Sequence, residues 1–115
     1  GDSGANYSST DIWGDGSSAA SHQESNINQV YLGDYIGNPL NNAGSMFILQ
    51  VMNYANTTTY KTIISRSSST SFGTQERIHC WRSTNAINSI TITEDATATN
   101  FAQYSSFALY GIKGA

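Results

Sequence analysis

Apolar and polar residues alternate along several short stretches of the chain, which is typical of β-strands whose side chains point to opposite faces. The alternation is strongest over 45–54, where Phe47, Leu49 and Val51 share one face. Further strands are predicted over 27–36, 60–67 and 75–82, around Ile90 and Ile92, and over 106–113. Apolar residues at helical spacing are missing, so almost no helix is expected. Short strands at this spacing predict an all-β fold, an antiparallel β-sandwich of the jelly-roll type.

The predicted C-terminal strand, 106–113, is apolar on both of its faces. Phe107 and Leu109 fall on one face, and Ala108, Tyr110 and Ile112 fall on the other. Such a strand runs through the centre of a sandwich, or another chain covers its outer face. The second possibility makes Ala108, Tyr110 and Ile112 candidate subunit-interface residues.

Residues 1–26 lack a sustained period and are rich in Gly, Ser, Asn and Asp. This composition predicts a long loop with one short strand over 5–9. Because the chain opens on turn residues, we expect its N-terminus to be incomplete, with strands preceding Gly1. By length, residues 1–115 make a single domain.

Composition narrows the classes of partner. Charged residues make up 11% of the chain, less than half of the usual share of about 25%, whereas Ser, Thr, Asn and Gly make up 50 of the 115 residues. The net charge is −3 and the five Lys and Arg residues are scattered singly, which argues against nucleic-acid binding. The longest apolar run, 46–49, is far too short to span a membrane.

Candidate catalytic and metal-binding groups are few. His79 and Cys80 are neighbours in a predicted strand, so their side chains leave on opposite faces and cannot act together as base and nucleophile. We expect a small buried Cys80 and a His79 at the surface or an interface. Asp11 and Asp15 are too sparse for a calcium loop, and a turn held by side-chain hydrogen bonds is the better interpretation. No catalytic residue, metal site or cofactor is predicted.

Aromatic residues among small polar ones offer a different kind of site. Stacking rings with neighbouring hydrogen-bonding groups are suited to sugars, and the candidate glycan-binding residues are Tyr7, Asp11, Trp13, Tyr31 and Tyr35. The alternative is that these rings cover sheet faces or join subunits.

Short motifs follow one another between residues 27 and 113. They read Leu-Gly-Asp-Tyr-Ile-Gly-Asn at 32–38, Thr-Thr-Tyr-Lys-Thr-Ile-Ile-Ser-Arg at 58–66, Trp-Arg-Ser-Thr at 81–84, Ala-Ile at 86–87, Ile at 90 and Phe-Ala-Leu-Tyr-Gly-Ile-Lys at 107–113. In order and spacing they resemble the C-terminal β-sandwich domain of virion surface proteins of tailed bacteriophages, especially phages from water and of cyanobacteria.

The resemblance implies a non-enzymatic structural protein of the virion, in a tail fibre or a capsid decoration or knob. It also implies a homotrimer that contacts other virion proteins, without shared catalytic residues or a cofactor. The alternative is a carbohydrate-binding module at a fibre tip, which contacts a host surface glycan. A small hydrolase would need a converging acid, base or nucleophile set that the sequence lacks.

Overall fold

The computed structural model describes residues 2–33, 44–70, 73–93, 101 and 103–112. Its strands are β1 (Tyr7–Gly14), β2 (Ala19–Ile27), β3 (Ser45–Val51), β4 (Lys61–Ser69) and β5 (Gly73–Trp81). These ranges contain no helix, and therefore none that could cross a membrane. The all-β class is confirmed.

The strands form one antiparallel sheet in the order β2-β1-β5-β4-β3. Strand β5 lies between β1 and β4 and so joins the N-terminal hairpin to the β3–β4 hairpin. Since the described ranges contain this one sheet, the second layer of a sandwich stays a prediction.

Three of the predicted strands are confirmed with small changes at their ends. The predicted 45–54, 60–67 and 75–82 correspond to β3, β4 and β5. At the end of β3 the chain turns, and the backbone N–H of Asn56 donates to the carbonyl of Asn53 at 2.9 Å. The predicted strand was therefore too long by three residues.

The predicted N-terminal loop is wrong, because most of it is the β1–β2 hairpin. Asp15 closes the turn: its backbone N–H donates to the Ser18 carbonyl at 3.1 Å, and its Oδ1 accepts the backbone N–H groups of Ser17 and Ser18. Both strands are rich in hydroxyl, amide and charged side chains, so a hydrophobic period could not indicate them.

Other predicted strands do not join the sheet. Strand β2 ends at Ile27, and residues 28–33 are irregular, so the strand predicted over 27–36 is wrong in its described part. The segment around Ile90 and Ile92 and the described part of the C-terminal strand, 106–112, also lie outside any ladder. Alternating apolar residues predicted strands here, but within the described residues no neighbouring strand pairs with these segments.

The two faces of the sheet differ in their surroundings. On one side, here called the covered face, the Tyr31 ring lies over Arg77, and Phe107 packs against Phe47 with ring centroids 6.1 Å apart. Segments outside the sheet therefore shield this side. The side chains of the other side, here called the open face, alternate with those of the covered face along every strand.

The covered face has a mostly polar interior. Among the described residues Ile63 is the one buried hydrophobic side chain, while Ser9, Asp11, Lys61, Ser65, Arg77 and His79 are buried polar ones. Burying polar groups is favourable only when they have partners. This set of buried polar residues is therefore the candidate functional site.

Candidate functional site

The buried polar cluster consists of Ser9, Asp11, Lys61, Ser65, Arg77 and His79. Strand register brings these residues together, because Asp11 pairs with Arg77 across β1 and β5, and Ser65 pairs with Arg77 across β4 and β5. His79 likewise pairs with Ser9. Three adjacent strands thus direct their polar side chains to the same side.

Asp11 is the anionic member of the cluster and is 1% exposed. Its Oδ2 accepts a hydrogen bond from Gln75 Nε2 at 2.8 Å and lies 3.8 Å from Arg77 Nη2. His22 Nδ1 lies 3.6 Å from its Oδ1. The Tyr31 ring lies over the guanidinium, with Arg77 Cζ 5.7 Å from the ring centroid, and Arg77 is 3% exposed. Asp11 and Arg77 thus compensate each other's charge inside the protein.

Lys61 is buried together with its charged end. Its Nζ donates to the carbonyl of Thr59 at 2.9 Å and to that of Thr84 at 3.4 Å. The second bond fastens the segment after β5 to the start of β4. The role that this geometry supports is structural.

Ser65 and His79 are the pair closest to a nucleophile and a base. Ser65 Oγ lies 3.4 Å from His79 Nε2. Burial, and to a lesser extent the charge of Arg77, lowers the pKa of His79 to about 4, so the imidazole is neutral at pH 7. Both residues are at most 1% exposed, however, so a substrate has no access to them in this conformation.

His79 was expected at the surface or an interface, and this placement is wrong, whereas Cys80 is less buried than expected. They do leave β5 on opposite faces, as predicted, but His79 is fully buried and Cys80 is half-buried on the open face. The reason is that the covered face accepts polar side chains, which the sequence-based expectation assigned to the surface. No three His, Cys, Asp or Glu side chains in the described ranges come together as a metal site.

The described candidate glycan-binding residues lie on the covered face, Tyr7, Asp11 and Trp13 at odd-numbered positions of β1 and Tyr31 over Arg77, and they differ in what covers them. Tyr7 stacks on Trp81 with ring centroids 6.2 Å apart, and the Asp11 carboxylate is inside the protein. Tyr31 covers Arg77, while Trp13 is half-buried. Tyr35 lies outside the described residues. Glycan binding stays a prediction, and Asp11 cannot reach a ligand in this conformation.

The candidate interface residues are fully accessible. Tyr110 is 85% exposed and Ile112 is 86% exposed, and Leu109, which precedes Tyr110, is 87% exposed. Ala108 is exposed as well. These residues belong to the C-terminal arm, defined here as residues 105–112, which Phe107 anchors to Phe101 and Phe47 through ring contacts. Within the chain the arm is therefore not the centre of a sandwich.

Sequence reasoning missed Lys61, Ser65 and Arg77 as interior residues. Ile63 carried the available signal, because Lys61 and Ser65 flank it at a spacing of two and so share its face. Tyr60 and Ile64, which are apolar too, fall on the opposite face, so the hydrophobic pattern of 60–67 does not show which face is buried.

No family model, curated protein or solved structure matches this chain.

Proposed function

We propose that this chain is a non-enzymatic structural module on the surface of a phage particle, in a tail fibre or a capsid decoration or knob protein. It assembles by symmetry, as a homotrimer, and contacts other virion proteins. The observation that supports assembly is the C-terminal arm, whose Leu109, Tyr110 and Ile112 are each at least 85% exposed. Adjacent apolar side chains left this bare mark an interaction site.

The assignment to a virion rests on the motif resemblance and on the chemistry of the sheet. Hydroxyl and amide side chains keep the surface soluble with little charge, which suits a protein repeated at high local density. The polar pairs of the interior are closed to solvent and hold strands together. Their geometry favours a structural role over catalysis.

The finer architecture is part of the same proposal. The sheet is one layer of an antiparallel sandwich of the jelly-roll type, and packing against other parts of the assembly provides the second layer. Sheets packed face to face lie about 10 Å apart, so side chains of both layers can interdigitate.

Mass measurement of the purified chain by light scattering tests the assembly, and a reconstruction of the intact particle tests its location. We expect a mass of several copies in solution and density for this fold at the particle surface. A monomer at every concentration would contradict the assembly. Its absence from the particle would contradict the virion assignment.

Carbohydrate binding at a fibre tip has one supporting observation, the partial exposure of Trp13. If Trp13 stacks on a host glycan, Trp13→Ala lowers host adsorption and leaves assembly unchanged. Unchanged adsorption, together with a silent glycan array, removes this alternative.

A further inference from the structure

A continuous apolar stripe crosses the open face of the sheet. Ile78 of β5 lies opposite Ile64 of β4, and Ile12 and Ile48 are their diagonal neighbours on β1 and β3. Met46 extends the stripe along β3. Apart from Ile64, which is half-buried, each of these side chains is at least half exposed. Four neighbouring strands thus present apolar groups to solvent.

The open face carries no net charge within the described strands. Its charged residues are Arg66 and Glu76, which pair at 3.3 Å, with Arg66 Nε and Nη2 both donating to Glu76 Oε1. Elsewhere the face carries Ser, Thr, Gln and Cys side chains beside the stripe. Two copies of a charged face would repel each other, whereas two copies of this neutral face can approach without such repulsion.

The open face also has a depression on one side and apolar side chains on the other, which can fit together when two copies pair. A trough of about 610 Å³ lies over β2, β1, β5 and the start of β4, and its lining includes Thr10, Gln23, Ile78 and Cys80. Glu24 also lines it, but its carboxylate accepts a hydrogen bond from Ser9 of the covered face at 3.5 Å. Met46 and Ile48 stand at the opposite side of the face, on the edge strand β3. A two-fold rotation would place these side chains of each copy over the trough of the other, since an isologous contact is reciprocal.

We propose that the open face packs against the same face of a second copy of this chain, related by a two-fold axis. This inference rests on the proposed homotrimer: the two-fold contact joins two such trimers through their open faces and forms the second layer of each sandwich. Packing of two faces buries side chains whose backbones are already paired within each sheet. Covering the stripe with an irregular segment such as the C-terminal arm would bury unpaired backbone groups, which is costly.

Ile78→Glu is the decisive variant, because it places a charge at the centre of the stripe. Ile90→Glu is the matched control: Ile90 is 46% exposed against 51% for Ile78, but it lies outside the sheet. Light scattering should give half of the wild-type mass for Ile78→Glu and the full mass for Ile90→Glu, with unchanged circular dichroism. If Ile78→Glu does not fold, Ile12→Glu makes the same test.

Cys80 offers a readout that needs no substitution on the face. It is the single cysteine and lies in the trough, so a second copy would shield it. Relative to the dissociated protein, maleimide labelling of the wild-type chain should slow about fivefold when the total concentration of the associating unit is about ten times the dissociation constant. A labelling rate independent of concentration, with equal masses for wild type and Ile78→Glu, would overturn the proposal.

Two further outcomes distinguish other occupants of the face. If the double variant Tyr110→Ser/Ile112→Ser restores fast Cys80 labelling, the C-terminal arm covers the face and the proposal is wrong. Protection found on the particle, but at no concentration of the purified chain, would assign the face to another virion protein and also overturn it. If that double variant lowers the mass while Cys80 stays protected, the arm contact and the face contact are separate.

Discussion

Gly73 opens β5 with a φ of +120°, and a Cβ at this position would collide with the Gly14 carbonyl oxygen and with Asp15 Cα. Both neighbours are backbone atoms, which cannot move away as the end of a flexible side chain could. We therefore expect Gly73→Ala to lower the free energy of unfolding by about 2 kcal/mol or more, measured by urea denaturation. Gly44→Ala is the control, because nothing lies within 4 Å of its added Cβ. Equal losses for the two variants would contradict this account.

His79 makes stability depend on pH. Its pKa falls from 6.5 to about 4 on folding, chiefly through burial. Between these two pH values His79 is therefore mostly protonated in the unfolded chain and mostly neutral in the folded chain. Stability is then complete above about pH 6.5 and declines by about 3 kcal/mol as the pH falls to about 4. Urea denaturation at several pH values above 4.5 measures the decline. Hydrogen bonds lower the pKa values of the Asp2 and Asp15 carboxyls, so the stability that these two groups contribute is lost at a lower pH than that of His79.

A His79→Gln variant tests whether His79 causes this pH dependence of stability. It removes the titrating group but keeps a polar side chain next to Ser65. We expect a lower stability at pH 7 and a much flatter dependence between pH 6.5 and 4.5. A decline as steep as that of the wild type would assign the effect to other groups.

At the scale of elements, sequence reasoning succeeded where burial follows hydrophobicity. Alternating apolar residues located β3 and parts of β4 and β5. The β1–β2 hairpin escaped detection because Ser9 and Asp11 are its buried residues, and their burial depends on partners distant in sequence, such as Arg77 and Gln75. The candidate site could not be predicted for the same reason, because the register of β1, β5 and β4 creates it.

The turn between β1 and β2 depends on a single side chain. Asp15 Oδ1 accepts the backbone N–H groups of Ser17 at 2.8 Å and Ser18 at 2.7 Å, as well as the Ser17 hydroxyl. We expect Asp15→Ala to increase hydrogen exchange of the Ser17 and Ser18 amides and to lower the melting temperature. Asp15→Asn retains an acceptor oxygen and should preserve most of the protection. Equal exchange in both variants would mean that the backbone alone holds the turn.

For the molecule as a whole, apolar side chains are distributed unusually. The described interior is mostly polar, with Ile63 as its buried hydrophobic residue, while the open face and the C-terminal arm expose apolar groups. Hydrophobic burial is the main driving force of folding and association, so, if copies associate as proposed, burial of these groups between copies adds to the stability of each copy. Stability should therefore rise with protein concentration.

The C-terminal arm permits a test of that argument which separates folding from assembly. Tyr110 is 85% exposed, so Tyr110→Ser should leave the unfolding free energy of the dissociated chain within about 0.5 kcal/mol of the wild type. If copies bury this ring, the same change raises the midpoint concentration of association about tenfold or more, measured by sedimentation. Tyr54→Ser, at an exposed tyrosine in the turn after β3, is the control and should change neither quantity. An unchanged association midpoint for Tyr110→Ser would exclude the arm from the subunit contact, because removing a buried ring must weaken the interface that contains it.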